Sequence, residues 1–102
     1  MGKPKYKIIY TRLALTDLEE IFDYIAEDNF EVAQLYLQSL DDTIQYLSEF
    51  PLMGKISIDP ELRRRKIRVL VFKRYLIFYK IEDHSIIIQR VVHASRDFIH
   101  LV

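Results

Sequence analysis

At 102 residues the chain is expected to form one domain around one core; a chain this short buries only about 60–70% of its unfolded surface, and half its residues are apolar to fill that core. Cysteine is absent, which excludes disulfides and thiolate metal sites, and no run approaches the roughly 20 apolar residues that span a bilayer. Fifteen basic and fifteen acidic residues cancel, which excludes a strongly basic nucleic-acid binder but hides an uneven distribution.

Residues 6–11, Tyr-Lys-Ile-Ile-Tyr-Thr, are rich in β-formers and read as a first strand. Thr16 and Glu19 fit a capping box, with the helix able to begin two or three residues earlier, and Leu18, Ile21, Phe22 and Ile25 then recur at helical spacing. Asp28 and Asn29 break that helix and can cap a second, whose stripe is Ala33, Tyr36, Leu37, Leu40, Ile44 and Leu47 until Pro51 stops it. So short a break makes the two helices an antiparallel hairpin. Residues 51–61 carry Pro51, Gly54, Asp59 and Pro60 and read as a loop. Strands follow over residues 66–72, 75–81 and 85–93, the last two close enough for a hairpin. Residues 75–79 and 86–88 are too apolar to have one face in water throughout, so the sheet is covered by helices on one side and partly protected on the other. The order is β-α-α-β-β-β: an α+β domain, with a helical hairpin on one face of a largely antiparallel sheet. Residues 1–10 hold no signal-peptide-like apolar run, so the expected location is the cytoplasm.

The charge follows these elements. Residues 1–12 carry four basic groups and no acid; residues 13–54 carry ten acids and neither lysine nor arginine; from Lys55 onward eleven basic residues face five acids. The helical hairpin is therefore acidic and the strands with their loops are basic. The sheet face turned from the helices is the expected basic surface, able to attract an anionic partner.

Three groups of residues carry a family resemblance. The first helix, with Ala14, Asp17, Leu18, Ile21, Tyr24 and Ile25, is similar to an "A-x-x-D-L-x-x-I-x-x-Y-I" opening, and Phe50-Pro51 with Gly54 resembles an "F-P-x-x-G" break. Most specific are Arg68, Tyr75, Ile77 and Tyr79, followed by Ile88, Arg90, Val91, His93, Arg96 and Asp97. They resemble "R-x-x-x-x-x-x-Y-x-I-x-Y … I-x-R-V-x-H-x-x-R-D". On these residues the chain resembles the RelE/ParE toxin family over roughly residues 6–98, on its ParE side. The resemblance implies a toxin of a type II toxin–antitoxin module, held in a hetero-oligomer by a cognate antitoxin whose C-terminal segment wraps it. It leaves two targets open. ParE-like members bind and poison DNA gyrase, the reading adopted here. RelE-like members cut messenger RNA on the ribosome and are enzymes; a degenerate member that only binds its antitoxin is a third reading.

RNA cleavage needs a base, an acid for the leaving oxygen and cations for the transition state. The middle-strand position that holds arginine in some ribosome-dependent relatives is Leu76 here, and their closing His-Tyr pair is missing. In a nuclease reading the cations would be Lys73, Arg74, Arg90 and Arg96. The expected target-binding set is Arg68, Arg74, Arg90, His93 and Arg96. Tyr75 and Tyr79 share a strand face, where tyrosines stack on a base or, more commonly, fill a core. Val32, Leu35 and Tyr46 lie off the core stripe of the second helix, with Tyr24 nearby, and are the expected antitoxin-binding apolar line. Arg63, Arg64 and Arg65 join that set as a grip for an acidic antitoxin tail, although such a run also serves simply to keep a strand edge solvated. His84, His93 and His100 lack metal-ligand spacing, and no cofactor is implied.

Overall fold

Thr11 turns strand β1 (Lys7–Tyr10) into helix α1 (Arg12–Ala26): its side chain accepts the Ala14 backbone N–H, satisfying one of the helix's unpaired amides. The computed structural model describes residues 5–98 and 100–102 of the chain. Thr11 rather than Thr16 is the cap, so α1 starts earlier than the sequence signal suggested. A hydrogen bond available only where β1 ends settled the choice, because the Thr11 hydroxyl also donates to the Gln89 carbonyl. Asn29 caps α2 (Phe30–Gln45) through the Val32 N–H, as expected, and a 3-10 turn at Tyr46–Ser48 finishes the hairpin.

The segment expected to be a loop holds two short elements. Strand β2 (Lys55–Ile56) pairs at the sheet edge, and Asp59 caps helix α3 (Pro60–Arg64), with Pro60 in its first turn where no N–H is needed. Strands β3 (Arg68–Phe72), β4 (Tyr75–Glu82) and β5 (Ser85–His93) complete a five-stranded sheet in the order β1-β5-β4-β3-β2. All pairings are antiparallel except β1 with β5. Asp83 turns β4 into β5 at φ 53°, a left-handed conformation that aspartate tolerates better than most residues.

The hairpin covers one sheet face. Ala14 and Ile21 of α1, with Leu40, Ile44 and Leu47 beyond them, bury against Leu70, Phe72, Ile77, Tyr79, Ile86, Ile88 and Val91. A second core lies on the other face, where Leu62, Ile67, Phe78 and Val92 are buried with Phe98, Leu101 and Val102 packed on them. The face expected to be the basic surface is thus capped in part by α3 and the C-terminal residues. Two cores account for the strands that were too apolar to have a wet side.

Candidate functional site

A β-bulge decides what faces the helices. Tyr79 pairs with Ile88 and Phe78 with Arg90, so Gln89 is an extra residue without a partner across the ladder. Strict alternation along β5 would put His93 on the face opposite Ile86 and Ile88. The bulge reverses the alternation: Val91 joins the helix-covered core, and His93 lies edge-on to Tyr75, 5.3 Å between ring centres. Arg90 is turned towards Phe78 and the second core.

From there Arg90 reaches round the sheet edge to α1. Its Nε and Nη2 donate to the two Asp17 carboxylate oxygens, each at 2.8 Å, and its Nη1 donates to the Leu101 carbonyl at 2.7 Å. Asp17 accepts a third bond, from the Val91 backbone N–H at 2.9 Å. Register explains the need: β1 ends opposite Ile88, so the outer edge of β5 beyond that point has no strand beside it, and Asp17 takes a strand's place. The pair is nearly dry, with side-chain exposures of 16% for Arg90 and 8% for Asp17. Its hydrogen bonds to Asp17 hold the guanidinium charged against the burial that opposes it.

Beside this clamp lies a cleft of about 140 Å³ between α1 and the ends of β4 and β5, walled by Glu20, Tyr24, Tyr75, His93 and Arg96 with Asp17 and Val91 beneath. Tyr75 is part of a line of edge-on rings that continues to Tyr36 and Phe72, and the Lys73 ammonium sits 5.1 Å from the Tyr36 ring centre. Burial, with repulsion from Tyr24 added, pushes the Tyr75 phenol above its usual range and keeps it protonated. His93 receives the Ser95 backbone N–H on Nδ1 at 3.1 Å, with the Ser95 hydroxyl at 2.7 Å from the same atom. With Nδ1 accepting the Ser95 N–H, the tautomer that fits is the one with the hydrogen on Nε2. Arg96 is exposed at the mouth. The cleft therefore presents hydrogen-bond donors, one cation and one uncommitted carboxylate, Glu20. Among the described residues no group of three His, Cys, Asp or Glu could hold a metal ion.

A second arrangement holds the loop after the hairpin. The buried Tyr79 hydroxyl accepts the Gly54 N–H at 2.9 Å and donates to the Pro51 carbonyl at 2.7 Å, while Arg68 donates to the Gly54 carbonyl at 2.8 Å. Tyr79 and Arg68 thus fix both ends of the Pro51-to-Gly54 turn.

The fold and these two arrangements join the residues that were distinctive in the sequence, and comparison with known proteins gives them a family. Residues 8–98 match the family described as the ParE toxin of the type II toxin–antitoxin system parDE. The chain belongs to the ParE toxin family. It is 31% identical over 90 residues to Toxin RelE2 of Caulobacter vibrioides, covering 88% of this chain and 97% of that one. Among solved structures, the chromosomal ParDE toxin–antitoxin system of P. aeruginosa superposes with a TM-score of 0.74 at 20% identity, covering 91% of this chain and all of the other, a likeness of fold. The toxin–antitoxin complex RelBE2 of Mycobacterium tuberculosis gives a TM-score of 0.65 at 25% identity, over 87% of this chain and 98% of that one. No helix among the described residues of this ParE-family toxin is long and apolar enough to cross a membrane.

The sequence-selected residues of the toxin do not form one site. His93, Arg96 and Tyr24 meet in the cleft, although Tyr24 was expected to face the antitoxin and the other two the target. Arg74 is exposed in the β3–β4 turn beside Lys73, and its carbonyl accepts the Ala94 N–H. Arg68 and Arg90 are not free cations: each is engaged inside the fold as described above. Val32 and Leu35 are exposed on α2, and Tyr46 on the 3-10 turn that follows it. Arg63 and Arg64 end α3 on the other side of the sheet, where Arg64 pairs with Glu61 and Arg65 bonds the Val102 carbonyl. A single chain touching both Leu35 and Arg63 would have to pass round a sheet edge.

Sequence reasoning did not single out Asp17 or Glu20 as site residues. Asp17 had a readable signal, since it lies between Ala14 and Ile21 at helical spacing, where an acid requires a buried partner. Glu20 had none.

Proposed function

We propose that this ParE-family toxin acts by binding DNA gyrase, and that a cognate antitoxin binds the toxin and holds it inactive. The observation that carries the reading is how the cleft's candidate proton carriers are held: His93 Nδ1 already accepts the Ser95 N–H and burial pushes the Tyr75 phenol up, which leaves Glu20 alone as a candidate base for strand cleavage of RNA. Leu76, in the position where some ribosome-dependent relatives carry arginine, is packed against the second core. Arg90, one of four cations considered for a nuclease, is already bonded to Asp17. Inhibition by binding needs none of these groups to move a proton. The solved relatives, a ParDE toxin–antitoxin system and the RelBE2 toxin–antitoxin complex, support an antitoxin as the partner.

Purified toxin is expected to inhibit supercoiling by gyrase, or to trap cleaved DNA with it, and to leave ribosome-bound messenger intact. Cuts in messenger RNA with gyrase unaffected would place the toxin with the RNA-cleaving members; Lys73, Arg74, Arg90 and Arg96 would then be tested as cations and Glu20 as the base.

The cleft mouth can be tested separately from the fold. Arg96 is exposed, and an exposed charge contributes under about 1 kcal/mol to stability. Arg96→Glu should therefore abolish growth arrest on induction while leaving the melting temperature unchanged. A soluble, normally melting Arg96→Glu toxin that still arrests growth would remove the cleft from target binding.

A further inference from the structure

The small cleft does not end at Tyr24. That side chain, 76% exposed, is also a wall of a broader cleft of about 470 Å³ that runs to Val32 past Glu27, Asp28 and Asn29. The two make one groove along the C-terminal half of α1 and over the turn into α2, with Leu35 exposed one turn further along. Its apolar surfaces are Tyr24 and Val32; its charged lining is Glu20, Glu27 and Asp28, with Arg96 only at the far end.

Little local charge opposes those carboxylates: Arg96 shares a lining with Glu20, whose charge also acts on Arg90, while no cation lines the cleft beside Glu27 and Asp28. Residues 13–54 contain no lysine or arginine, and among the described residues Glu20, Glu27 and Asp28 form no ion pair. Asp17, at one end of the groove, is already engaged by Arg90. An exposed tyrosine face between unpaired carboxylates favours a cation twice over, through the ring and through the charges. It also refuses an acidic chain, because like charges set against each other across an interface cost several kcal/mol.

We infer that this groove is the seat of a basic, apolar segment of the antitoxin, whose lysine or arginine side chains lie over Tyr24 and between Glu20 and Glu27 while its aliphatic residues cover Val32 and Leu35. The inference rests on the antitoxin reading above and specifies the chemistry of the contact. It differs from the sequence-based expectation, in which the antitoxin's charges were acidic and met Arg63, Arg64 and Arg65. A segment with both kinds of charge satisfies both faces, but at the helical hairpin the charge has to be positive.

The test uses the full toxin and the purified product of the adjacent antitoxin gene. The triple variant Glu20→Lys/Glu27→Lys/Asp28→Lys should weaken the complex by on the order of tenfold per reversed charge, and Glu19→Lys, exposed on the same helix but outside the groove, should leave it unchanged. Circular dichroism melts should coincide with wild type, since all the altered side chains are exposed. Reversing a basic antitoxin residue to glutamate should restore affinity for the triple variant and lower it for the wild-type toxin. A wild-type complex indifferent to the triple variant would overturn the inference and leave the antitoxin reading standing; absence of any wild-type complex would overturn both. Toxin that self-associates alone, and loses that association in the triple variant, would give the groove to a second copy and overturn the assignment.

Discussion

Asp17→Ala should unfold this toxin more readily than any other single change at its surface or site. The substitution leaves the Arg90 guanidinium, 16% exposed, without its counter-charge and the Val91 N–H without an acceptor at a strand edge. Removing one partner of a buried pair costs about 3–5 kcal/mol, because the remaining charge stays desolvated. Native domains are stable by only about 5–15 kcal/mol, and in one of this size each kcal/mol corresponds to about 4–8 °C. A fall of more than about 12 °C in the thermal midpoint is therefore expected, against little change for Glu19→Ala on the exposed side of the same helix. The double variant Asp17→Leu/Arg90→Met should recover much of the loss, since an apolar pair of similar size needs no charge to be satisfied. The physical account fails if Asp17→Ala melts within a few degrees of wild type. A toxin weakened this way would also lose activity without any part of its contact surface being changed, so loss of toxicity in an Arg90 variant does not by itself place Arg90 against the target.

The second large effect is expected at Gly54. A methyl group there would sit 2.7 Å from a ring carbon of Tyr79, 2.8 Å from its hydroxyl and 2.9 Å from the Val69 carbonyl. Neither neighbour can give way easily: Tyr79 is fully buried and its hydroxyl is held on two sides, and the Val69 carbonyl belongs to the sheet. Gly54→Ala should cost about 1–3 kcal/mol or somewhat more, the range for forcing extra volume into a packed site. Tyr79→Phe approaches the same site from the other side. It keeps the ring but leaves the Gly54 N–H and the Pro51 carbonyl unpaired, and an unsatisfied buried group costs about 1–3 kcal/mol. Chemical denaturation of the two variants and their double mutant measures the coupling. Independent, additive losses would show that Gly54 and Tyr79 do not act as one unit, contrary to the geometry.

Much of the protein was legible in its residues. Local chemistry gave the hairpin, since the stripe from Ala33 to Leu47 and the Asn29 cap need nothing but helical periodicity and a side-chain oxygen in the right place. The apolar runs in β4 and β5 correctly required cover on both sheet faces, and the exposure of Tyr24, Val32, Leu35 and Tyr46 followed from their lying off the stripe. The uneven charge was a property of the sequence from the start.

Other features depended on contacts between residues far apart in the chain. Asp17 and Arg90 are 73 positions apart, and no local pattern says that they meet: helical spacing says only that Asp17 needs a buried partner, and Arg90 alone reads as a surface charge. The start of α1 was misplaced because Thr11 gains a bond to Gln89 that exists only after β1 has paired with β5. Helix α3 and strand β2 were read as loop because five- and two-residue elements are stabilised by what they touch, Leu62 in the second core and Val69 across the edge, and not by their own propensity. The cleft itself was out of reach for the same reason. Period-two alternation sends His93 away from Tyr75, and a single unpaired residue, Gln89, brings it back. Sequence determines side-chain periodicity within an element, whereas the register between elements is set by the packing of whole faces, and a bulge costs the chain only one ladder position while moving every side chain beyond it to the other side.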